Sequence, residues 1–373
     1  MRLGNPSFIL FLTLFLSFFM WLFPDFSILR SGFRQKAELL SIEGIILIII
    51  YIFFILIVNL GFKINIKYKN KFNDKDRLDN NRIYYIFILI STIGVMTTYY
   101  KLLSKIDFFL IKEWLFRGVA NNLRYILYED YSFGLISLRY VIGETFSLML
   151  IRRYIYKKKS YFDILVLLEM ISIVIISNRL LLIFSILSFC IYWSFNKKIK
   201  ITLKTIVLIF MCIFIIFLLT YSRTKNYYLY NYNFGFIGAG ISEIKTYLGS
   251  PFQGALTTIS MLINKETITL ERFYFVSTIQ KNLTTNSAIY DLVFNKGIYS
   301  TLNLILILSI FFVVLSFVIR FLFLSRKTAL FFSYATLMYS IAEFWRLFIF
   351  FNGIIIVLFI IPIFVYYLNK IFK

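Results

Sequence analysis

The chain has no histidine among its 373 residues. That absence removes every mechanism that needs an imidazole as metal ligand, nucleophile or proton carrier. Only two cysteines occur, Cys190 and Cys212, and both sit inside apolar runs. There a thiol behaves as a small hydrophobe, and the pair makes no metal-ligand pattern. Negative charge is scarce, with 18 acidic residues against 40 Lys and Arg. No internal repeat is visible, which argues mildly against transporters built from repeated halves. The glycines at 235, 238 and 240 follow no strand, so they read as a flexible turn and not as a dinucleotide fingerprint.

Apolar material is present in excess. The chain is 60% hydrophobic and 20% aromatic, with mean hydropathy +0.81. Soluble domains average roughly 45–50% apolar residues. The excess comes in blocks long enough to cross a hydrocarbon core of about 30 Å as helix. Candidate spans run near 7–24, 42–62, 83–100, 133–151, 161–177, 180–195, 203–221, 301–322, 328–349 and 351–368. The expected fold is therefore all-α: one integral membrane domain over 1–373, a polytopic bundle of about ten transmembrane helices. The first segment lacks a clear small-residue cleavage site and reads as a retained span.

Orientation follows from the links. The stretches 63–82, 152–159 and 196–204, Arg326-Lys327 and the tail from Lys370 to Lys373 are all basic. With the N-terminus inside, ten spans put all five on the cytoplasmic face, as the positive-inside rule requires. Both termini are then cytoplasmic. The same rule accounts for the net charge of +22 without invoking nucleic acid. The opposite face carries a loop of about 80 residues, 222–300. It is poor in Ser and Pro and rich in aromatics, with amphipathic runs at 237–248 and 256–263, so short helices over the outer mouth of the bundle are expected.

Ionisable residues at membrane depth are costly and face a cavity or a partner. Arg139, Glu144 and Glu169 have mainly structural readings, and Arg320 is placed to snorkel to the inner interface. Glu343 and Arg346, three apart, share a helix face; they are a self-satisfied pair, or Arg346 lines an outer cavity with Arg179 and Arg223. The last two sit where apolar helices meet the outer face, in SNRLLLIFS and LLTYSRTKN. A guanidinium fork there binds phosphate oxygens in bidentate fashion or simply anchors the interface.

Three stretches carry a resemblance: SNRLLLIFSILSF, then TYSRTKN with YLGSPFQGAL about 25 residues on, then TNSAIYDLVFNKGIYSTLNLILIL. With the topology, these make the chain similar to the Wzy-type oligosaccharide repeat-unit polymerases of bacterial O-antigen and capsule assembly. An acidic residue is often found before the glycine of the third stretch; here Asn295-Lys296-Gly297 stands, and the nearest acid is Asp291.

The resemblance implies a GT-C-like bundle in the bacterial cytoplasmic (inner) membrane. It implies an inverting, metal-independent glycosyl transfer on the outer face, with no cofactor and undecaprenyl diphosphate as leaving group. Undecaprenyl-diphosphate-linked oligosaccharides, membrane lipid and a separate chain-length regulator are the implied partners. Arg179, Arg223, Arg272 and Arg346 are the candidates for stabilising the diphosphate. Without histidine the base should be a carboxylate; Glu243 and Asp291 flank the motifs. Tyr228, Tyr230 and Tyr247 are placed to stack on sugar rings, although an interfacial aromatic belt explains such residues equally well. The rival readings are a lipid-linked oligosaccharide flippase or other polysaccharide transporter, an O-antigen ligase, a multispan acyltransferase and an export scaffold. The missing histidine disfavours the ligase and the acyltransferase.

Overall fold

Capping residues at the edges of the apolar runs set where the helices begin. In the computed structural model, the described residues are 4–23, 32–39, 41–64, 77–116, 123, 127, 134–176, 179–196, 214, 235–281 and 286–371. Helix α1 (Pro6–Leu22) starts on Asn5, whose side chain accepts from the Ser7 N–H at 3.1 Å, with proline at the first helical position. Helix α2 (Ile42–Lys63) is capped by Ser41 on the Gly44 N–H at 3.2 Å, with Glu43 in its first turn and Lys63 in its last, as the helix dipole favours. Asn80 does the same for α3 (Asn81–Leu103) on the Arg82 N–H at 2.9 Å.

Next come α4 (Phe108–Phe116), a 3₁₀ turn (Leu135–Val141) running into α5 (Ile142–Tyr154), α6 (Asp163–Ile176) and α7 (Arg179–Asn196). They are followed by α8 (Phe236–Ile263), α9 (Leu270–Ser277), α10 (Thr301–Leu324), α11 (Leu330–Glu343) and α12 (Gly353–Ile371). Among the described residues the structure is all helical, with no strand; one antiparallel bridge joins Phe33 to Ile279.

Four helices, α2, α3, α10 and α12, are long and apolar enough to cross a membrane, and α1 and 180–195 are apolar but shorter. Their faces are divided. On α2, Leu47, Ile50, Phe54 and Val58 are buried while Ile45, Ile49, Ile52, Leu56 and Leu60 are exposed. An outward apolar stripe of this kind belongs against lipid. Gly61 lets α2 approach α10: a Cβ there would lie 2.5 Å from the Ser316 Cβ, a small-on-small contact typical of membrane helix pairs. Helix α11 is the centre, with every residue from Leu330 to Ile341 buried.

Several expected spans are shorter as helices than the apolar runs that suggested them. The run 133–151 opens as the 3₁₀ turn because Gly94 of α3 admits its backbone; a Cβ at Gly94 would lie 2.1 Å from the Arg139 nitrogen. The run 328–349 stops being helical at Glu343. The seventh, 203–221, lies outside the described residues. The two amphipathic runs of the long loop, expected as separate short helices, join into the single 28-residue α8 despite Pro251. Proline removes one helical donor, and neighbouring hydroxyls supply others: Ser250 donates to the Thr246 carbonyl at 2.6 Å, and Ser17 of α1 to the Leu248 carbonyl at 2.7 Å.

Three of the basic links meet at one end of the bundle. The Leu78 N–H donates to the Lys327 carbonyl at 3.0 Å, and Arg152 and Lys158 both donate to the Asp79 carbonyl, at 2.9 and 3.0 Å. Arg320 lies over Phe62 and Phe323 near the same end, at 5.4 and 5.5 Å.

Candidate functional site

Residues of the long loop gather at the opposite end. Gln253 on α8 is the hub. Its Oε1 accepts from the Trp21 indole at 2.6 Å and the Ala37 N–H at 3.2 Å, while its Nε2 donates to the Gln35 and Ser277 carbonyls at 3.0 and 3.1 Å. One buried amide thus uses all of its donor and acceptor capacity to join α1, the first loop, α8 and α9. Thr278 adds to this seam: its hydroxyl accepts from the Gln35 N–H at 2.9 Å.

Against this frame, a short helical turn (Ala288–Tyr290) widens into a π-helical turn (Asp291–Asn295). Ser287 caps it, accepting from the Tyr290 N–H at 2.9 Å. Asp291 is held from both sides: its Oδ2 accepts from the Phe348 N–H at 3.0 Å and its Oδ1 from the Asn295 amide at 3.1 Å. Burial pushes its carboxyl up to about 6, opposed by those two donors and by the charges of Arg346 and Lys296. Tyr290 beside it is raised too, first by burial and then by the neighbouring Tyr274.

Arg346 stands in the turn after α11. Its Nε and Nη2 each donate to the Glu343 Oε2 at 2.8 Å, and both side chains are nearly buried, at 9% and 11% exposure. Its guanidinium also lies over the Tyr247 ring at 5.4 Å, a cation–π contact. The arrangement therefore holds a charge-compensated pair, a half-buried aromatic and a carboxylate suited to accepting a proton near neutral pH.

Of the residues singled out from the sequence, Asp291, Arg346 and Tyr247 come together. Arg272 does not join them; it pairs with Glu266 at 2.8 Å on an exposed surface and lies over Phe275 at 5.7 Å. Glu243 lies on α8 one turn before Tyr247, and Arg179 begins α7. Arg223, Tyr228 and Tyr230 lie outside the described residues. Among the described residues no group of three acidic or cysteine side chains converges to hold a metal ion. The buried residue that sequence reasoning passed over is Asn286. It stands inside the TNSAIYD stretch, where an asparagine carries no pattern of its own.

Deeper in the bundle, Glu169 of α6 is met by Thr92 of α3 at 2.7 Å. Glu144 of α5 is fully buried with neither carboxyl oxygen hydrogen-bonded. Arg139, five residues before it, does not pair with it: its Nη2 donates to the Tyr140 hydroxyl at 2.8 Å.

In comparisons with known proteins, no family model, no curated protein and no solved structure matches the chain.

Proposed function

We propose that the chain is a membrane glycosyltransferase of the repeat-unit polymerase kind. In this reading it joins undecaprenyl-diphosphate-linked oligosaccharides into O-antigen or capsular polysaccharide at the outer face of the bacterial cytoplasmic membrane. The observation that carries the reading is the convergence of Asp291, Arg346 and Tyr247 at the end of the bundle opposite the basic links. Asp291 offers a proton acceptor and Tyr247 an aromatic ring, two of the groups that glycosyl transfer without a metal asks of a protein.

The acceptor hydroxyl loses its proton to Asp291, and its oxygen attacks the anomeric carbon of the lipid-linked donor. The bond from that carbon to the phosphate oxygen breaks with inversion, and undecaprenyl diphosphate leaves with the electron pair. Arg346 is already matched by Glu343, so its part is to orient Tyr247 and to bias the field at Asp291. The diphosphate then falls to Arg179 and Arg223, whose forks suit phosphate oxygens. A chain-length regulator and the surrounding lipid are the expected partners.

A flippase is the second reading, favoured by Glu144 and Glu169, two carboxyls buried within the helices of the first half. Deleting the gene in its host and running the lipid-linked and surface glycans on a gel separates the two. Polymerase loss leaves a single repeat unit at the surface and no ladder. Loss of even that unit, with intermediates trapped on the inner leaflet, would sink the polymerase reading. Arg223→Ala should abolish the ladder at normal protein level, while Lys67→Ala, in the inner loop, should leave it intact.

A further inference from the structure

Asn286 is 4% exposed, and its side-chain oxygen has no hydrogen-bond partner, although its Nδ2 donates to the Tyr274 hydroxyl at 3.3 Å. Buried amide oxygens are rarely left idle. The backbone around this one is pinned. Gly254 of α8 sits so close that a Cβ there would lie 2.1 Å from the Asn286 carbonyl oxygen. On the other side Ser287 caps the following turn, and the Tyr290 ring is wedged against Phe273 and Phe294 at centroid separations of 4.5 and 4.7 Å.

An idle amide oxygen selects its partner by chemistry. It can only accept, so it takes a donor. An anion is rejected, because the oxygen repels it and Asp291 lies on the same short turn. A cation finds a single carboxylate here, Asp291, and among the described residues no group of three acidic side chains converges to hold a metal ion. A neutral hydroxyl fits: it gives its proton to Asn286 and receives one from a tyrosine. Tyr274, bonded to Asn286, and Asp291, on the next turn, are both partly exposed, so the buried amide lies just beneath the surface.

We infer that Asn286, with the hydroxyls of Tyr274 and Tyr290, recognises a hydroxyl of the acceptor sugar and sets a neighbouring hydroxyl before Asp291. The inference rests on the polymerase reading and adds to it the residues that hold the acceptor. Asn286 is here a positioning residue, since it moves no proton in the reaction.

The test uses full-length protein in lipid nanodiscs. The probe is the host's own repeat-unit oligosaccharide, freed by mild acid from the lipid-linked pool of a strain lacking this gene. Binding is titrated by saturation-transfer NMR, with Tm measured beside it. Asn286→Leu keeps the volume and removes both polar atoms. The expected result is a Kd weakened at least tenfold, beside whatever small fall in Tm the lost hydrogen bond from the Asn286 Nδ2 to Tyr274 brings. An unchanged Kd with a lowered Tm would mean the oxygen holds a structural water only, and would overturn the inference. An unchanged Kd and Tm would overturn it equally. Should Asn286→Leu not fold, Tyr274→Phe is read in the same titration, with a several-fold weaker Kd expected and an unchanged one decisive against. Absence of binding to the unaltered protein is a different outcome, and it would take the polymerase reading down as well.

Discussion

Take away the carboxylate of Glu343 and Arg346 is left as a lone cation in a nearly dry place. Both guanidinium nitrogens that face Glu343 lie 2.8 Å from one oxygen, and the two side chains are 9% and 11% exposed. Two unit charges with centres about 4 Å apart attract by about 4 kcal/mol at an effective dielectric of 20. Breaking one side of such a buried pair typically costs about 3–5 kcal/mol, whereas replacing both sides with apolar groups is often neutral. Glu343→Leu alone should therefore destabilise by about 3–5 kcal/mol. Glu343→Leu with Arg346→Met should stay within about 1 kcal/mol of the parent although each single change costs about 3–5 kcal/mol, so the two should couple by at least about 5 kcal/mol. The assay is denaturant titration in detergent followed by tryptophan fluorescence, on all four members of the cycle. If the double variant loses the sum of the two single losses, the pair is not a closed unit and the argument fails. The double variant also separates stability from function: it should reach the membrane at normal level and yet make little polymer.

The remaining predictions concern the same end of the bundle. Asp291 acts as a base only when ionised, so polymer formation in vitro should climb with pH through about 6; a rate flat through that window would remove Asp291 from the proton transfer. Its effect on stability has the opposite sense. Because the folded-state value lies above the ordinary 3.8, the native form holds the proton more tightly, and that advantage, roughly 3 kcal/mol, is lost as pH rises from about 4 through 6. Asp291→Asn should make this slope shallower in denaturation midpoints, and an unchanged slope refutes the assignment. Gln253→Ala strands the Trp21 indole and the Ala37 N–H and should cost about 2–5 kcal/mol; a loss below about 0.5 kcal/mol would show that water replaces the amide. Gly254→Ala drives a Cβ into the Asn286 carbonyl and should cost about 1–3 kcal/mol, checked by the same titration.

The helices themselves could be read from the chain because hydropathy and capping are local. Runs such as 42–62 and 301–322 correspond closely to α2 and α10, and Asn5, Ser41 and Asn80 stand where caps belong. Where helices stop inside an apolar run was not legible. The break at Glu343 and the 3₁₀ turn before α5 arise from packing partners far away in sequence, Phe348 held by Asp291 and Leu138–Arg139 held by Gly94. Nor could Pro251 be recognised as internal to a helix, since the hydroxyl that helps it comes from Ser17 of α1.

For the site, the chain alone proposed residue types: arginines for a diphosphate, carboxylates for a base, tyrosines for sugar. The carboxylate follows from composition, because a chain without histidine has few other proton acceptors at neutral pH; the diphosphate and sugar roles came with the resemblance to the polymerases. Only tertiary structure decided which of them meet. Arg346, whose pairing with Glu343 three residues away was open to the sequence, came over Tyr247, Arg272 turned to Glu266 instead, and Asn286 came to rest beside Tyr274. Hydropathy is a property of each residue and survives in any arrangement. A hydrogen bond between residues 57 positions apart, such as Phe348 to Asp291, exists only once the bundle has closed.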